Sequence, residues 1–280
     1  MSDLLTRAGL TRLARVLGAT DASVQFLAAR NHLELRQLED RVSAALFDEH
    51  RKALQRIADA SRLLPASLVA KMSELVFGPM LSARVSGLMP PDRAIEVAGR
   101  LRTKFLADVT VQLDPRNASE LLARMPVTIV VEVAALLLQR GEYVTMGRFV
   151  DDLPDAAIRA VVERVQDDGA LVRIAGYVER RERVMELIEM IPADRLRRVV
   201  AAAATGPEEV QRSGLVMMSQ LSERQQGRVG DIAISLGADA VNALVAAASR
   251  AGASDMLRTV LRHISADSKL ALVKIIPGFV

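Results

Sequence analysis

The chain has 280 residues, half of them hydrophobic but only 3% aromatic, and it has no cysteine. Disulfides, thiolate metal sites and thiol catalysis are thereby excluded, and the core must be built from Leu, Val, Ala, Ile and Met, a palette that favours helix on helix over sheet. Thirty-seven basic residues stand against 34 acidic ones, and their interleaving, without Trp, speaks against nucleic acid as a partner.

Residues 3–17 set Leu4, Leu5, Leu10, Leu13, Val16 and Leu17 against Arg7, Arg12 and Arg15. This is a short amphipathic helix with a basic polar side, expected to pack on the helix that follows; a weak peripheral membrane contact through 3–17 is the alternative. The same arginines interrupt any signal-type apolar stretch, and no run of 18 apolar residues occurs in the chain, so a cytoplasmic protein without an integral membrane segment is expected. Asp21 or Ser23 can cap a following helix. Glu34 to Leu63 reads as one long amphipathic helix or a bent pair, with Leu38, Val42, Leu46, Leu54 and Ile57 on its apolar side. Residues 1–63 are thus expected to form an N-terminal helical cap, and 64–280 a helical-repeat body that can be continuous with it.

From Leu64 a signal recurs: an aliphatic residue, then Pro directly or one residue later, then an apolar helical pattern. Its instances are Leu64-Pro65, Met89-Pro90, Leu113-Asp114-Pro115, Met125-Pro126, Leu153-Pro154 and Ile191-Pro192. Proline suits a first helical turn, where its missing N–H has no partner to lose, so each marks a helix start, with Asp114 as an N-cap. Pro65, Pro90 and Pro115 recur at intervals that accommodate two short helices each. The stretch Val127 to Gln139 has only Thr128, Glu132 and Gln139 as polar residues, and a helix there must be covered on most sides.

Beyond it the pattern predicts helices over 143–152, 154–166, 170–178, 181–190, 192–204, 207–221, 223–236, 238–251, 254–264 and 266–276. Gly141, Gly169, Gly206, Gly237 and Gly252 fall between them, where a left-handed residue closes a helix. Gly176 and Gly230 fall inside, where close helix contact is the reason to tolerate them. The fold class is all-α: a right-handed superhelix (α-solenoid) of short helices, or an irregular helical bundle whose prolines mark helix starts.

The segments MPPDRAIEVAGRL, LDPRNASELLARM, LPDAAIRAVVERV and IPADRLRRVVAAAA, within Leu64 to Ala204, carry a resemblance. The run is similar to the right-handed superhelix in the cytoplasmic N-terminal domain of MgtE-type magnesium transporters, and the flagellar motor switch protein FliG has a similar repeat style. The resemblance implies a superhelical fold and, as function, a magnesium-sensing regulatory domain. Charge here is balanced where that transporter domain is strongly acidic.

No nucleophile elbow, dinucleotide fingerprint or phosphate loop is present, so a non-enzymatic protein without cofactors is expected. The histidines are His32, His50 and His263. In Asp48-Glu49-His50 adjacent residues point apart on a helix, and no second His follows at i+4 to complete a metal site. Asp151-Asp152 and Asp167-Asp168 read as helix-end caps before they read as cation ligands. Met217-Met218 and Ala201–Ala204 read as core packing.

The candidate partner-binding residues lie in two places. One is Arg140 to Phe149, with Arg140, Glu142, Tyr143 and Arg148 as its candidates, since Tyr and Arg are the side chains that anchor interfaces; the competing reading puts Phe149 in the core and Tyr143 in a turn. The other is the basic patch Arg180, Arg181 and Arg183. Arg195, Arg197 and Arg198 form a second patch, interleaved with acids. A scaffold or adaptor recognising a protein partner along a concave face is the leading expectation; a carrier of an apolar or lipid-like ligand and a magnesium sensor are the alternatives. The apolar tail Leu270 to Val280 is expected to plug the end of the body or to form a homodimer contact.

Overall fold

The structure, a computed structural model, describes residues 2–48 and 51–275. Glu49 and His50 of the acidic cluster, and residues 276–280 of the apolar tail, lie outside the described residues. Among those described the chain is all-α, with no strand.

The helices are α1 (Ser2–Val16), α2 (Asp21–Val24), α3 (His32–Asp48), α4 (Arg51–Ser61), α5 (Ala66–Met72), α6 (Gly78–Ser86), α7 (Pro91–Ala98), α8 (Thr103–Gln112), α9 (Ser119–Ala123) and α10 (Val127–Gln139). They continue with α11 (Tyr143–Phe149), α12 (Asp155–Arg164), α13 (Asp168–Ala175), α14 (Arg181–Met190), α15 (Ala193–Thr205), α16 (Glu208–Gln220), α17 (Glu223–Ser235), α18 (Ala238–Arg250), α19 (Ser254–His263) and α20 (Ala266–Ile275). The segment from Glu34 to Leu63 is accordingly a pair, α3 and α4, rather than one helix.

The prolines act one residue earlier than a first-turn placement. Pro65, Pro90, Pro126, Pro154, Pro192 and Pro207 are N-caps with φ between −54° and −64° and ψ between 134° and 158°. An N-cap is extended in ψ while its carbonyl already accepts a helical bond, and proline satisfies both because only its φ is fixed. Pro115 alone of the six expected starts sits inside the first turn, that of a 3-10 segment, and there Asp114 caps by accepting from the Arg116 N–H at 3.2 Å. The interval from Pro65 to Pro90 holds α5 and α6, joined through a π-helical turn over Ser73–Phe77, and the next holds α7 and α8.

Two expectations about caps and turns fail. Asp21 lies inside α2 behind Thr20, and its carboxylate accepts from the Thr11 hydroxyl at 2.7 Å instead of capping. Gly141, Gly237 and Gly252 do take positive φ, but Gly169 lies within α13 and Gly206 has φ −72°. A Cβ on Gly206 would press on the Ala202 carbonyl oxygen at 2.5 Å, so this glycine serves a tight chain reversal and not a left-handed cap.

The chain divides into two compact units, and residues 1–63 are distributed over both. One comprises 15–19 and 36–165. In it α5 packs on α7 and α7 on α9, while α6 packs on α8, α8 on α10 and α10 on α12. One of its core clusters joins Phe105, Val109, Leu113, Leu121, Leu122 and Phe149. Although α10 buries Val130, Val131, Val133 and Leu137, it leaves Thr128, Glu132 and Ala135 exposed. Those three lie at helical spacing, so even this apolar helix keeps an open side.

The other unit comprises 1–14, 20–35 and 166–280. Within it α13 packs on α15 and α16, α15 on α17 and α18, and α17 on α19. Two glycines of α17 permit the last contact: a Cβ on Gly227 would run into the His263 carbonyl, and one on Gly230 would stand 2.5 Å from Val260 Cγ1. The expected close contact at Gly176 is also present, against Ser213 Cβ at 2.9 Å. The first helix reaches far along the sequence. Leu4 joins Leu215, Val216, Ala247, Ala248 and Met256 in one core cluster, and Leu10, Leu13 and Ala14 are buried as well. Leu4, Leu10 and Leu13 of the first helix are thus covered by protein while Leu17 is exposed, and Arg12 lies beside Glu179 at 3.7 Å.

Candidate interaction surfaces

The stretch from Arg140 to Phe149 splits into an outer and an inner half. Arg140 follows the last turn of α10 and pairs with Asp108 at 2.6 Å. Glu142 pairs with Arg15 and accepts from Thr145 Oγ1 at 3.2 Å. Tyr143, half-buried, opens α11 beside Gly141. The inner half is core: Phe149 joins the cluster around Phe105 and Val109, and Arg148 is 7% exposed.

Arg148 belongs to a buried ionic network that the sequence did not announce. Glu39 of α3 is 1% exposed; its Oε1 lies 2.7 Å from Arg116 Nη2 and 3.8 Å from Arg148 Nε. Asp114, besides capping, lies 3.4 Å from Arg148 Nη2, and Arg116 also pairs with Asp40. Helical spacing placed Leu38 and Val42 on the inner face of α3, yet both are half-buried and Glu39 is the residue withdrawn from water. Two guanidinium groups offset the desolvation of its carboxylate. Only the spacing Leu35, Glu39, one helical turn, hinted that Glu39 faces inward.

The basic patch after Tyr177 serves the interior as well. Arg180 is exposed, but Arg181 donates from Nε to the Gln220 carbonyl at 2.8 Å and from Nη2 to that of Leu221 at 3.3 Å, satisfying acceptors that end α16. Arg183 is buried, with Nη1 at 2.9 Å from Glu186. Arg197 likewise caps α17 through the Ser235 carbonyl at 3.1 Å, and Arg195 holds Asp168 at 2.7 Å. Arg148 and Arg183 are therefore spent inside the fold, whereas Arg140, Glu142, Tyr143 and Arg180 keep accessible surface.

The paired carboxylates also have protein partners. Asp167 caps α13 by accepting from the Ala170 N–H at 3.1 Å, and Asp152 accepts from Ser119 Oγ at 2.6 Å. Among the described residues no group of three or more His, Asp or Glu side chains is placed to hold a metal ion, and no helix is long and apolar enough to cross a membrane.

An exposed apolar surface lies at the π-helical turn between α5 and α6. Leu75 is 81%, Val76 72% and Met80 58% exposed, and Leu68 joins them at 43%. The sequence signal was Leu75-Val76-Phe77 run against Gly78-Pro79: the chain must leave regular helix there, and Gly78 does so at φ 71°. Glu74, in the same turn, accepts from the Arg102 N–H at 2.8 Å and from its Nε at 2.7 Å, and these bonds hold its carboxyl below the ordinary value. They fasten the turn to the start of α8, where Lys104 is exposed, while Lys71 is exposed one turn earlier. Exposed lysines thus stand on both chain segments that meet at the turn.

No family model, no curated protein and no solved structure matches this chain.

Proposed function

We propose that the protein is a non-enzymatic interaction module, each unit a short superhelical stack of helix pairs, and that the unit of residues 36–165 takes an apolar, acid-flanked helix of a protein partner at the π-helical turn. The exposure of Leu75, Val76 and Met80, together with that of Lys71 and Lys104, carries this reading. Large apolar side chains grouped on a surface mark interaction sites, and exposed lysines favour an acidic counterpart. π-Helical turns are frequent at functional sites.

A ladder of cross-links supports the repeat. Glu74 meets Arg102 at a separation of 28 residues, Asp92 meets Arg124 at 32, Asp108 meets Arg140 at 32 and Asp114 meets Arg148 at 34. Such near-constant separation is what stacked helix pairs of similar length produce. Arg140, Glu142 and Tyr143 on the same unit extend the proposed contact surface, and Arg180 belongs to the other unit.

The test is selection of helical peptides displayed on phage against the full chain. Enriched sequences are expected to carry one apolar face flanked by Asp or Glu, and to bind a Leu75→Asp, Val76→Asp double variant at least about tenfold more weakly. Selected peptides that bind wild type and the double variant equally, or no enrichment, would overturn the proposal.

A further inference from the structure

In the unit that contains 166–280, Leu4 of α1, Leu215 of α16 and Ala247 of α18 meet in one core cluster. An arginine stands three positions from each: Arg7 after Leu4, Arg212 before Leu215 and Arg250 after Ala247. Side chains three apart on a helix share a face. Burying the three apolar residues together therefore turns three guanidinium groups toward one place, and they rim a cleft of about 60 Å³ that Glu208 and Gln211 also line.

The charge of this cleft selects its ligand. The cleft opens to solvent and has room for a small polyatomic ion such as phosphate. Three cations and a single carboxylate line it. Arg212 commits Nη2 to Glu208 at 3.3 Å, and Arg250 commits Nη2 to Gln211 Oε1 at 2.9 Å. A guanidinium has five N–H donors in a planar fork that matches phosphate oxygens two at a time. Like charges gathered on one rim repel, and a bound dianion relieves that repulsion.

We propose that the cleft between α1, α16 and α18 binds a phosphate group, as the free ion or as a small phosphomonoester. Arg7, Arg212 and Arg250 grip the oxygens, and the apolar residues beneath keep the three arginines in register. Because Arg7 comes from the first helix, ligand binding also fastens α1 to the rest of its unit.

Calorimetric titration of the full chain with inorganic phosphate and with glycerol phosphate, at constant ionic strength maintained with chloride, tests this. Wild type is expected to bind at least one of the two saturably, and Arg212→Gln and Arg250→Gln to bind about tenfold more weakly at an unchanged ligand-free melting temperature. Binding of the ion alone identifies a site for free phosphate, and binding of both identifies a site that admits an ester; either bears out the proposal. If a glutamine variant melts lower, Arg250→Lys keeps the charge and the packing stem while losing the fork, and is expected to weaken binding without unfolding. Non-saturable heats, or equal affinity in wild type and all variants, would discard the phosphate site.

Discussion

Glu39 and Arg116, separated by 77 residues in sequence, meet at 2.7 Å with the Glu39 side chain 1% exposed. Removing one partner of a buried charge pair leaves the other without compensation and costs about 3–5 kcal/mol, whereas exposed pairs contribute about 0–1 kcal/mol. Glu39→Gln is therefore expected to destabilise by about 3 kcal/mol. Arg124→Ala, whose pair with Asp92 is open to solvent, is expected to change stability by no more than about 0.5 kcal/mol. Urea unfolding of the two variants checks the contrast, and equal effects would show that the Glu39 network is not a fixed part of the fold.

The glycines of α17 give a second test. Gly227→Ala places a methyl group against the backbone of His263, and because backbone cannot swing aside the expected loss is about 3 kcal/mol. Gly99 ends α7 at φ −65° with nothing nearer than 3.6 Å to an added Cβ. Gly99→Ala should instead stabilise by about 0.4–1 kcal/mol through the unfolded chain. A Gly227→Ala protein that melts with wild type would show that α17 and α19 stand farther apart.

Glu74 makes a prediction about acid. The Arg102 N–H, and then its guanidinium, lower the folded carboxyl below its ordinary value. For a depressed carboxylate the stabilisation is present above the unfolded value, about 4.3, and is lost as pH falls through the folded one. Glu74→Gln should accordingly melt lower than wild type at neutral pH, and the gap should close as the solution is acidified below about pH 4. A gap of constant size down to the acid transition would separate Glu74 from the fastening of the turn.

Tyr177 makes the complementary prediction in base. Burial first, and then the negative charges of Glu209 and Asp21, raise its phenol above the ordinary value. With Tyr143→Phe it is the last tyrosine, and its ultraviolet titration is expected to lie above about pH 10. Stability tied to the neutral phenol is complete below that pH and is lost as the pH rises through the folded value. Glu209→Gln should bring the midpoint partway down while burial keeps it raised; a midpoint at the ordinary value in the Tyr143→Phe protein would place Tyr177 in water.

What the sequence determined by itself is local. A proline preceded by an aliphatic residue marks a helix start to within one residue, Asp114 and Asp167 accept from N–H groups two and three residues on, and Gly141, Gly237 and Gly252 occupy left-handed turns; each depends on neighbours within a few positions, so each was legible. The helices from α10 to α20 followed from the same signals to within a residue or two at most ends. Tertiary structure decided the rest. Glu39 carried no signal of its own because its partners stand near positions 116 and 148, and Arg148 and Arg183 looked like surface anchors because burial is not written in residue type. The apolar face of α1 meets Leu35 of α3, as a neighbour in sequence can, but it also found cover at Leu215, Val216 and Ala248, about two hundred residues away. Helix formation is a contest among bonds four residues apart, whereas the choice of which charges to bury is made by whatever distant side chains the packing brings beside them.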